Sequence, residues 1–193
     1  MMIAIVKYNG GNVQSVQNAL KKVNVESVVT DEFDVIKNAE KVIFPGVGEA
    51  SSTMKNLKEK KLDLLIPSLK QPVLGICLGM QLMCTHSEEG DTAGLGIFDV
   101  EVRKFPNEDI VPHMGWNSVS DTKSIMKEES FKDGDLYFVH SYYCEISEYT
   151  TATCDYILPF SAALQKDNFY GMQFHPEKSG NAGLLLLENF LKI

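Results

Sequence analysis

A cysteine stands between two glycines in Gly75-Ile76-Cys77-Leu78-Gly79, after the apolar run Pro72-Val73-Leu74 and before Met80-Gln81-Leu82-Met83. The order reads as strand, sharp turn and helix, with the thiol at the apex. It has the physical logic of the G-x-S-x-G nucleophile elbow, whose strained turn lifts the nucleophile above the sheet edge. Glycines two residues to either side let neighbouring backbone pass where a Cβ would collide. A helix N-terminus behind Cys77 favours the thiolate, the reactive form that an unassisted thiol barely populates at neutral pH. Such a nucleophile needs a base. Far downstream, Gly171-Met172-Gln173-Phe174-His175-Pro176-Glu177-Lys178 reads as a strand ending at His175, a proline-fixed exit, and then Glu177. His175 can take the thiol proton and later give it to a leaving amine. Glu177 lies two residues on, on the same side of an extended chain, and can orient the imidazole and stabilise its cation. The implied chemistry is acyl transfer through a cysteine, if the fold brings the two segments together.

The elements that must do so alternate in the first half of the chain. Residues 2–7 read as a buried strand, broken by a turn at Asn9-Gly10-Gly11-Asn12, and Val13, Val16, Leu20 and Val23 recur at helical spacing. Residues 27–29 and 42–44 give further strands, the second ended by Pro45. Ser51 or Ser52 is placed to cap a helix carrying Met54 and Leu57. Residues 62–69 form a short helix before the strand at 73–76. The expected fold class is therefore α/β, an open, mostly parallel sheet with helices on both faces. The nucleophile falls at a strand's carboxyl end, where open α/β sheets place their ligands. The second half is β-rich, with strands read at 99–104, 117–120, 136–143, 151–156, 161–165 and 169–174. A turn at Lys166-Asp167-Asn168 precedes the last of these, and an apolar helix over about 181–191 closes the chain. Linkers, low-complexity stretches and repeats are not evident, so residues 1–193 read as a single domain. Pro45-Gly46-Val47-Gly48, at a strand end, is a turn able to aim backbone N–H groups at the oxyanion that acyl transfer develops. Each such donor is worth about 3 kcal/mol.

Composition narrows the class of partner. A net charge of -8, with 18 Lys and Arg against 26 Asp and Glu, argues against nucleic acid or an anionic membrane. The four cysteines, Cys77, Cys84, Cys144 and Cys154, show neither a C-x-x-C pair nor zinc-ligand spacing and read as reduced thiols of a cytoplasmic enzyme. Neither a metal nor another cofactor is expected. The apolar start is too short for a signal sequence, and no run reaches the length of a membrane span.

The Gly-Ile-Cys-Leu-Gly-Met-Gln segment and His175-Pro-Glu177 resemble the signature of the class I, triad-type glutamine amidotransferases. Four more segments narrow the likeness to the branch of glutaminase subunits of imidazole glycerol phosphate synthase. They are Ile5 to Asn12, Lys41-Val-Ile-Phe-Pro45-Gly46-Val47-Gly48, Pro112-His113-Met114-Gly115-Trp116-Asn117 and Tyr137-Phe-Val-His140-Ser141-Tyr142. The resemblance covers essentially the whole chain and implies a flavodoxin-like sheet, with Cys77, His175 and Glu177 as triad and Gly46, Val47 and Leu78 as oxyanion hole. It also implies a glutamine site made by Gly48, Gln81, Glu89 and the Ser141-Tyr142 backbone. Gln81 lies one helical turn beyond Cys77, and Glu89 offers the charge an ammonium group needs. Many relatives carry an aromatic after Gly48, where this chain continues Glu49-Ala50-Ser51. The implied partner is a (β/α)8-barrel cyclase, bound as a heterodimer at a face containing Met114, Trp116, Tyr137 and Lys178. The cyclase would use ammonia from glutamine to make imidazole glycerol phosphate and aminoimidazole carboxamide ribotide in histidine biosynthesis. Two alternatives stay open at this level. One is a paralogous subunit supplying ammonia to another synthase, such as one modifying a surface sugar; the other is a stand-alone cysteine hydrolase. A non-catalytic binding subunit would have no physical need for the complete Cys, His and Glu set.

Overall fold

The computed structural model describes residues 2–8, 10, 12–127 and 134–193. Its main sheet is built from β1 (Ile3–Val6), β2 (Ser27–Thr30), β3 (Lys41–Gly46), β4 (Val73–Cys77), β11 (Thr150–Asp155), β12 (Pro159–Lys166) and β13 (Phe169–Met172). The strand order is β11-β12-β13-β4-β3-β1-β2. The run β2-β1-β3-β4-β13 is parallel, and β12 and β11 extend it antiparallel. This is the flavodoxin-like order with an antiparallel edge. The central strands are apolar throughout, as expected of strands covered on both faces. Ile3, Ile5, Ile43, Leu74 and Ile76 point to one side, against α1 (Val13–Lys22) and α6 (Gly180–Leu191). Ala4, Val6, Val42, Phe44 and Val73 point to the other, against α3 (Ala50–Glu59), α4 (Leu62–Ser68) and α5 (Leu78–Leu82).

Two smaller sheets form the β-rich remainder. One has the order β10-β7-β5-β6, from β5 (Cys84–Ser87), β6 (Thr92–Ala93), β7 (Phe98–Lys104) and β10 (Tyr142–Cys144). The other is the antiparallel pair β8 (His113–Asn117) and β9 (Leu136–His140). No helix among the described residues is long and apolar enough to cross a membrane.

Several boundaries differ from the sequence reading, each for a local reason. Pro45 does not end its strand: β3 runs on to Gly46, with Pro45 opposite Ile76 and Gly46 opposite Cys77. A proline lacking its N–H is tolerated there because the ladder is about to stop. Neither Ser51 nor Ser52 caps α3. Glu49 does, accepting from the N–H groups of both serines at 3.0 and 2.8 Å. The strand read at 117–120 lies earlier, as β8, and Ser120 keeps only an isolated bridge to Thr153. The strand read at 136–143 breaks at Ser141 into β9 and β10, which belong to different sheets. The helix α2 (Phe33–Asn38) and the strands β5 and β6 were not foreseen; they are too short to show a period. Of the turn read at Asn9-Gly10-Gly11-Asn12, Asn9 and Gly11 lie outside the described residues.

Candidate active site

Strand β4 lies between β3 and β13, parallel to both, so all three carboxyl ends meet at one edge. Cys77 ends β4, Gly46 ends β3, and His175 lies three residues beyond the Met172–Ile76 pairing. The topology thus assembles what lies far apart in sequence. Cys77 has φ 52° and ψ -111°, a strained backbone for a residue with a side chain, as expected of a nucleophile elbow. The flanking glycines explain how the turn closes. A Cβ on Gly79 would overlap the carbonyl oxygen of Phe44, and one on Gly75 would lie 2.8 Å from the backbone nitrogen of Met80. Helix α5 therefore rests directly on strand backbone. Gly79→Ala should force the two apart at a cost of about 3 kcal/mol. For a chain of this size the thermal midpoint should fall by about 6–12 °C, which calorimetry would read.

His175 and Glu177 are both almost fully buried, and the imidazole Nδ1 lies 2.8 Å from Glu177 Oε1. The 3-10 turn Pro176–Lys178 brings the carboxylate back under the ring. Among the described residues, the buried Nε2 of His175 and Oε2 of Glu177 have no hydrogen-bond partner. Burial works against the imidazolium, but the neighbouring Cys77 and then Glu177 outweigh it and push His175 up to about 10. The ring is thus held protonated beside the nucleophile. The Cys77 sulfur also lies 3.9 Å from the Val139 carbonyl and 3.7 Å from Gln173 Nε2.

The cavity over Cys77 measures about 360 Å³ and is lined by Val47, Gly48, Leu78, Gln81, Glu89, Ser141, Tyr142 and His175, with Pro112, Val139 and His140. All five residues read as glutamine-binding are therefore on its wall. The Gln81 amide nitrogen donates to the Tyr142 carbonyl at 2.8 Å, so that carbonyl is engaged by the protein itself. Glu89 accepts from the Ala50 N–H at 2.9 Å, and burial raises its carboxyl above the usual range. Gly46 stands opposite Cys77 in the ladder, and Leu78 follows Cys77 at the start of α5. Val47 is arranged differently. It lies beyond the ladder on the cavity wall, and the Tyr8 hydroxyl donates to the Pro45 carbonyl two residues before it. Burial first, then the charge of Cys77, pushes the Tyr8 phenol up.

Three further contributors escaped the sequence reading: Tyr8, Gln173 and the pair His113 and His140. His140 Nδ1 lies 2.7 Å from the Tyr142 carbonyl, and its Nε2 lies 3.1 Å from His113 Nδ1. Burial holds His113 down to about 4 and His140 down to about 3. Two neutral imidazoles therefore stand end to end behind the cavity, each handing on one proton. The His-x26-His spacing carries no signal in sequence; only the pairing of β8 with β9, His113 opposite His140, creates it.

The residues read as a docking face do come together. Met114 and Trp116, 63% and 57% exposed, alternate onto one side of β8, and Trp116 packs edge-on to Tyr137 of β9, ring centroids 5.8 Å apart. Lys178 Nζ sits 5.7 Å from the Tyr137 ring centroid. The backbone couples this face to the base, since the His175 N–H donates to the Tyr137 carbonyl at 2.9 Å. The Tyr137 N–H donates in turn to Ser179 Oγ at 3.0 Å.

Elbow, buried imidazole and carboxylate, gathered beyond the ends of neighbouring parallel strands, make a site suited to acyl transfer through a cysteine. A family described as glutamine amidotransferase class-I matches residues 4–193, and the chain belongs to that family. Within it, the chain is 58% identical over 196 residues to imidazole glycerol phosphate synthase subunit HisH of Bacteroides fragilis, with 100% of both chains covered. To the HisH subunit of Pasteurella multocida it is 45% identical over 192 residues, covering 98% of this chain and 97% of that one. Among solved structures, PurLQS from Thermotoga maritima superposes with a TM-score of 0.74 at 16% identity, over 99% of this chain and 97% of that one, a likeness of fold.

Proposed function

We propose that this chain is the glutaminase subunit of an imidazole glycerol phosphate synthase, acting through Cys77, His175 and Glu177. The observation that carries the reading is the buried His175–Glu177 pair at the end of β13, beside the strained Cys77 at the end of β4. The full-length likeness to HisH subunits supports the choice of synthase. Cys77 Sγ attacks the side-chain amide carbon of glutamine, and the carbonyl electrons move to oxygen. When the tetrahedral adduct collapses, the C–N bond breaks and the His175 imidazolium protonates the departing nitrogen, giving ammonia and a γ-glutamyl thioester. His175, now neutral, takes a proton from water; the hydroxide displaces the thiolate and glutamate leaves. Glu177 keeps the ring oriented through both halves and stabilises its cation.

Gly46, Val47 and Leu78 serve the oxyanion, and Gly48, Gln81, Glu89 and the Ser141-Tyr142 backbone hold the amino-acid end of glutamine. The Tyr8 hydroxyl holds the Pro45 carbonyl at the base of this loop, and the oxyanion hole is completed once the Pro45 to Gly48 loop turns the Val47 N–H inward. The partner is a cytoplasmic (β/α)8-barrel cyclase, bound as a heterodimer at Met114, Trp116, Tyr137 and Lys178. Lys178 follows the triad carboxylate directly, and the Tyr137 backbone holds His175, so docking there bears on the base. Ammonia passed across that interface stays unprotonated and nucleophilic for the cyclase reaction, which yields imidazole glycerol phosphate and aminoimidazole carboxamide ribotide.

The test is glutamate release from glutamine by the purified chain, alone and with the cyclase and its nucleotide ligand. Strong stimulation by the liganded partner is expected. Equal activity without the partner would replace this reading with an ungated hydrolase, and silence in both conditions would point to another synthase.

A further inference from the structure

Gln173 lies beneath the nucleophile and has no part in the triad. Its side chain is fully buried, and its backbone N–H donates to the Ala162 carbonyl at 2.8 Å, which fixes the residue against β12. A buried primary amide must find partners for both ends. Here Oε1 faces Gln81 Nε2 at 2.9 Å and Nε2 faces Cys77 Sγ at 3.7 Å. The direction of these bonds is forced. The Tyr142 carbonyl can only accept, so Gln81 must present its amide nitrogen there. The second hydrogen on that nitrogen then goes to the Gln173 oxygen, which leaves the Gln173 nitrogen for the sulfur.

We propose that Gln173 is a positioning residue for the reaction, donating an N–H···S hydrogen bond that holds the Cys77 sulfur on the attack line and favours its ionised form. It serves both states of the thiol. The protonated sulfur donates toward Val139 while accepting from Gln173, and the ionised sulfur accepts from Gln173 and faces His175. The same amide ties the sulfur to Gln81, a wall of the cavity. The kinetic part of this inference rests on the glutaminase reading; the part concerning the sulfur does not.

Two variants of similar length separate the roles. Gln173→Met removes both hydrogen bonds, whereas Gln173→Glu keeps the acceptor toward Gln81 and places a negative oxygen against the sulfur. The pH dependence of Cys77 alkylation by iodoacetamide, followed on its own peptide by mass spectrometry, should move up by about one pH unit in Gln173→Met and further in Gln173→Glu. The kcat for glutamine should fall about 10- to 100-fold in both. KM should stay near the parent value only in Gln173→Glu, which still orients Gln81. A lower melting temperature with an unmoved alkylation profile would overturn the proposal. A shifted profile in a chain that never hydrolyses glutamine would instead leave Gln173's role standing and sink the glutaminase reading. Should both variants fail to fold, the unsubstituted protein decides. Alkylating Cys77 should displace the Gln173 side-chain amide signals in a 15N–1H correlation spectrum, and stationary signals would refute the contact.

Discussion

Replacing Cys77 with serine should reduce glutamate release by about 10⁴-fold or more while leaving the fold and the partner interface in place. The exchange is nearly isosteric, and the serine would occupy the same strained turn, φ 52°, with the same glycines beneath it. What changes is the acid. A hydroxyl ionises far above a thiol, so the base at His175 would have to remove a proton that the wild-type nucleophile yields readily. Only a weak ion pair with the imidazole could then form, and the push that holds His175 up to about 10 would lose its leading favourable contribution, which comes from Cys77. Glutamate production measured by a coupled dehydrogenase assay, beside glutamine binding measured by calorimetry, separates chemistry from recognition. Serine activity within tenfold of the parent would mean that the sulfur is not the attacking atom. Loss of glutamine binding together with turnover would mean that the substitution disturbed the cavity instead.

The sequence announces this site unevenly, and the reasons are physical. Cys77 was legible because an elbow must be glycine-flanked: the contact of α5 with the Phe44 carbonyl leaves no room for a side chain at Gly79, and that constraint is written into the residues themselves. His175 and Glu177 were legible as a local motif, a strand end followed by a proline. Their nearness to Cys77 was not, because it depends on β13 choosing β4 as its neighbour, a pairing between strands nearly a hundred positions apart. The parallel sheet could be anticipated from the apolar runs at β1, β3 and β4 alternating with helical periods. Strand β8 was misplaced because its alternating apolar residues, Met114 and Trp116, face outward while His113 is the buried one, the reverse of the usual pattern; its pairing with β9 is what makes it a strand. Gln173 and the two neutral histidines are the extreme case. Each is a polar side chain in an apolar setting, and polar satisfaction inside a core is a property of the assembled partners rather than of any one segment.

The proposed docking face and the base share one piece of backbone, which bears on how a partner could be felt at the nucleophile. Tyr137 presents its ring to Trp116 and Lys178 on the outside. The same residue's carbonyl holds the His175 N–H on the inside. A partner pressing on this hairpin would act on the imidazole through a single peptide. It would act on the oxyanion loop only by a second route, since Tyr8 holds that loop through the Pro45 carbonyl.

Glu177→Gln should lower kcat/KM by about 10³-fold and move the alkaline limb of its pH profile toward lower pH. The neutral amide can still accept from His175 Nδ1 at the 2.8 Å position, so the ring should keep its orientation and tautomer. The carboxylate charge is what disappears. In the parent, burial disfavours the imidazolium and is outweighed by Cys77 and Glu177, so the ring stays protonated until the pH approaches about 10. With Glu177 neutral, burial is opposed by Cys77 alone and the proton leaves at lower pH. In the proposed mechanism the imidazolium protonates the departing nitrogen, so activity should fall as the pH rises through its pKa, and earlier in the variant. The direction follows from the sign of the charge removed: losing a negative neighbour destabilises a cation. Rates of glutamate release across the pH range, with the liganded cyclase present in both cases, would show it. An alkaline limb that stays in place while the rate falls would assign Glu177 a purely orienting part. A shift in the opposite direction would mean that the limb reports some group other than His175.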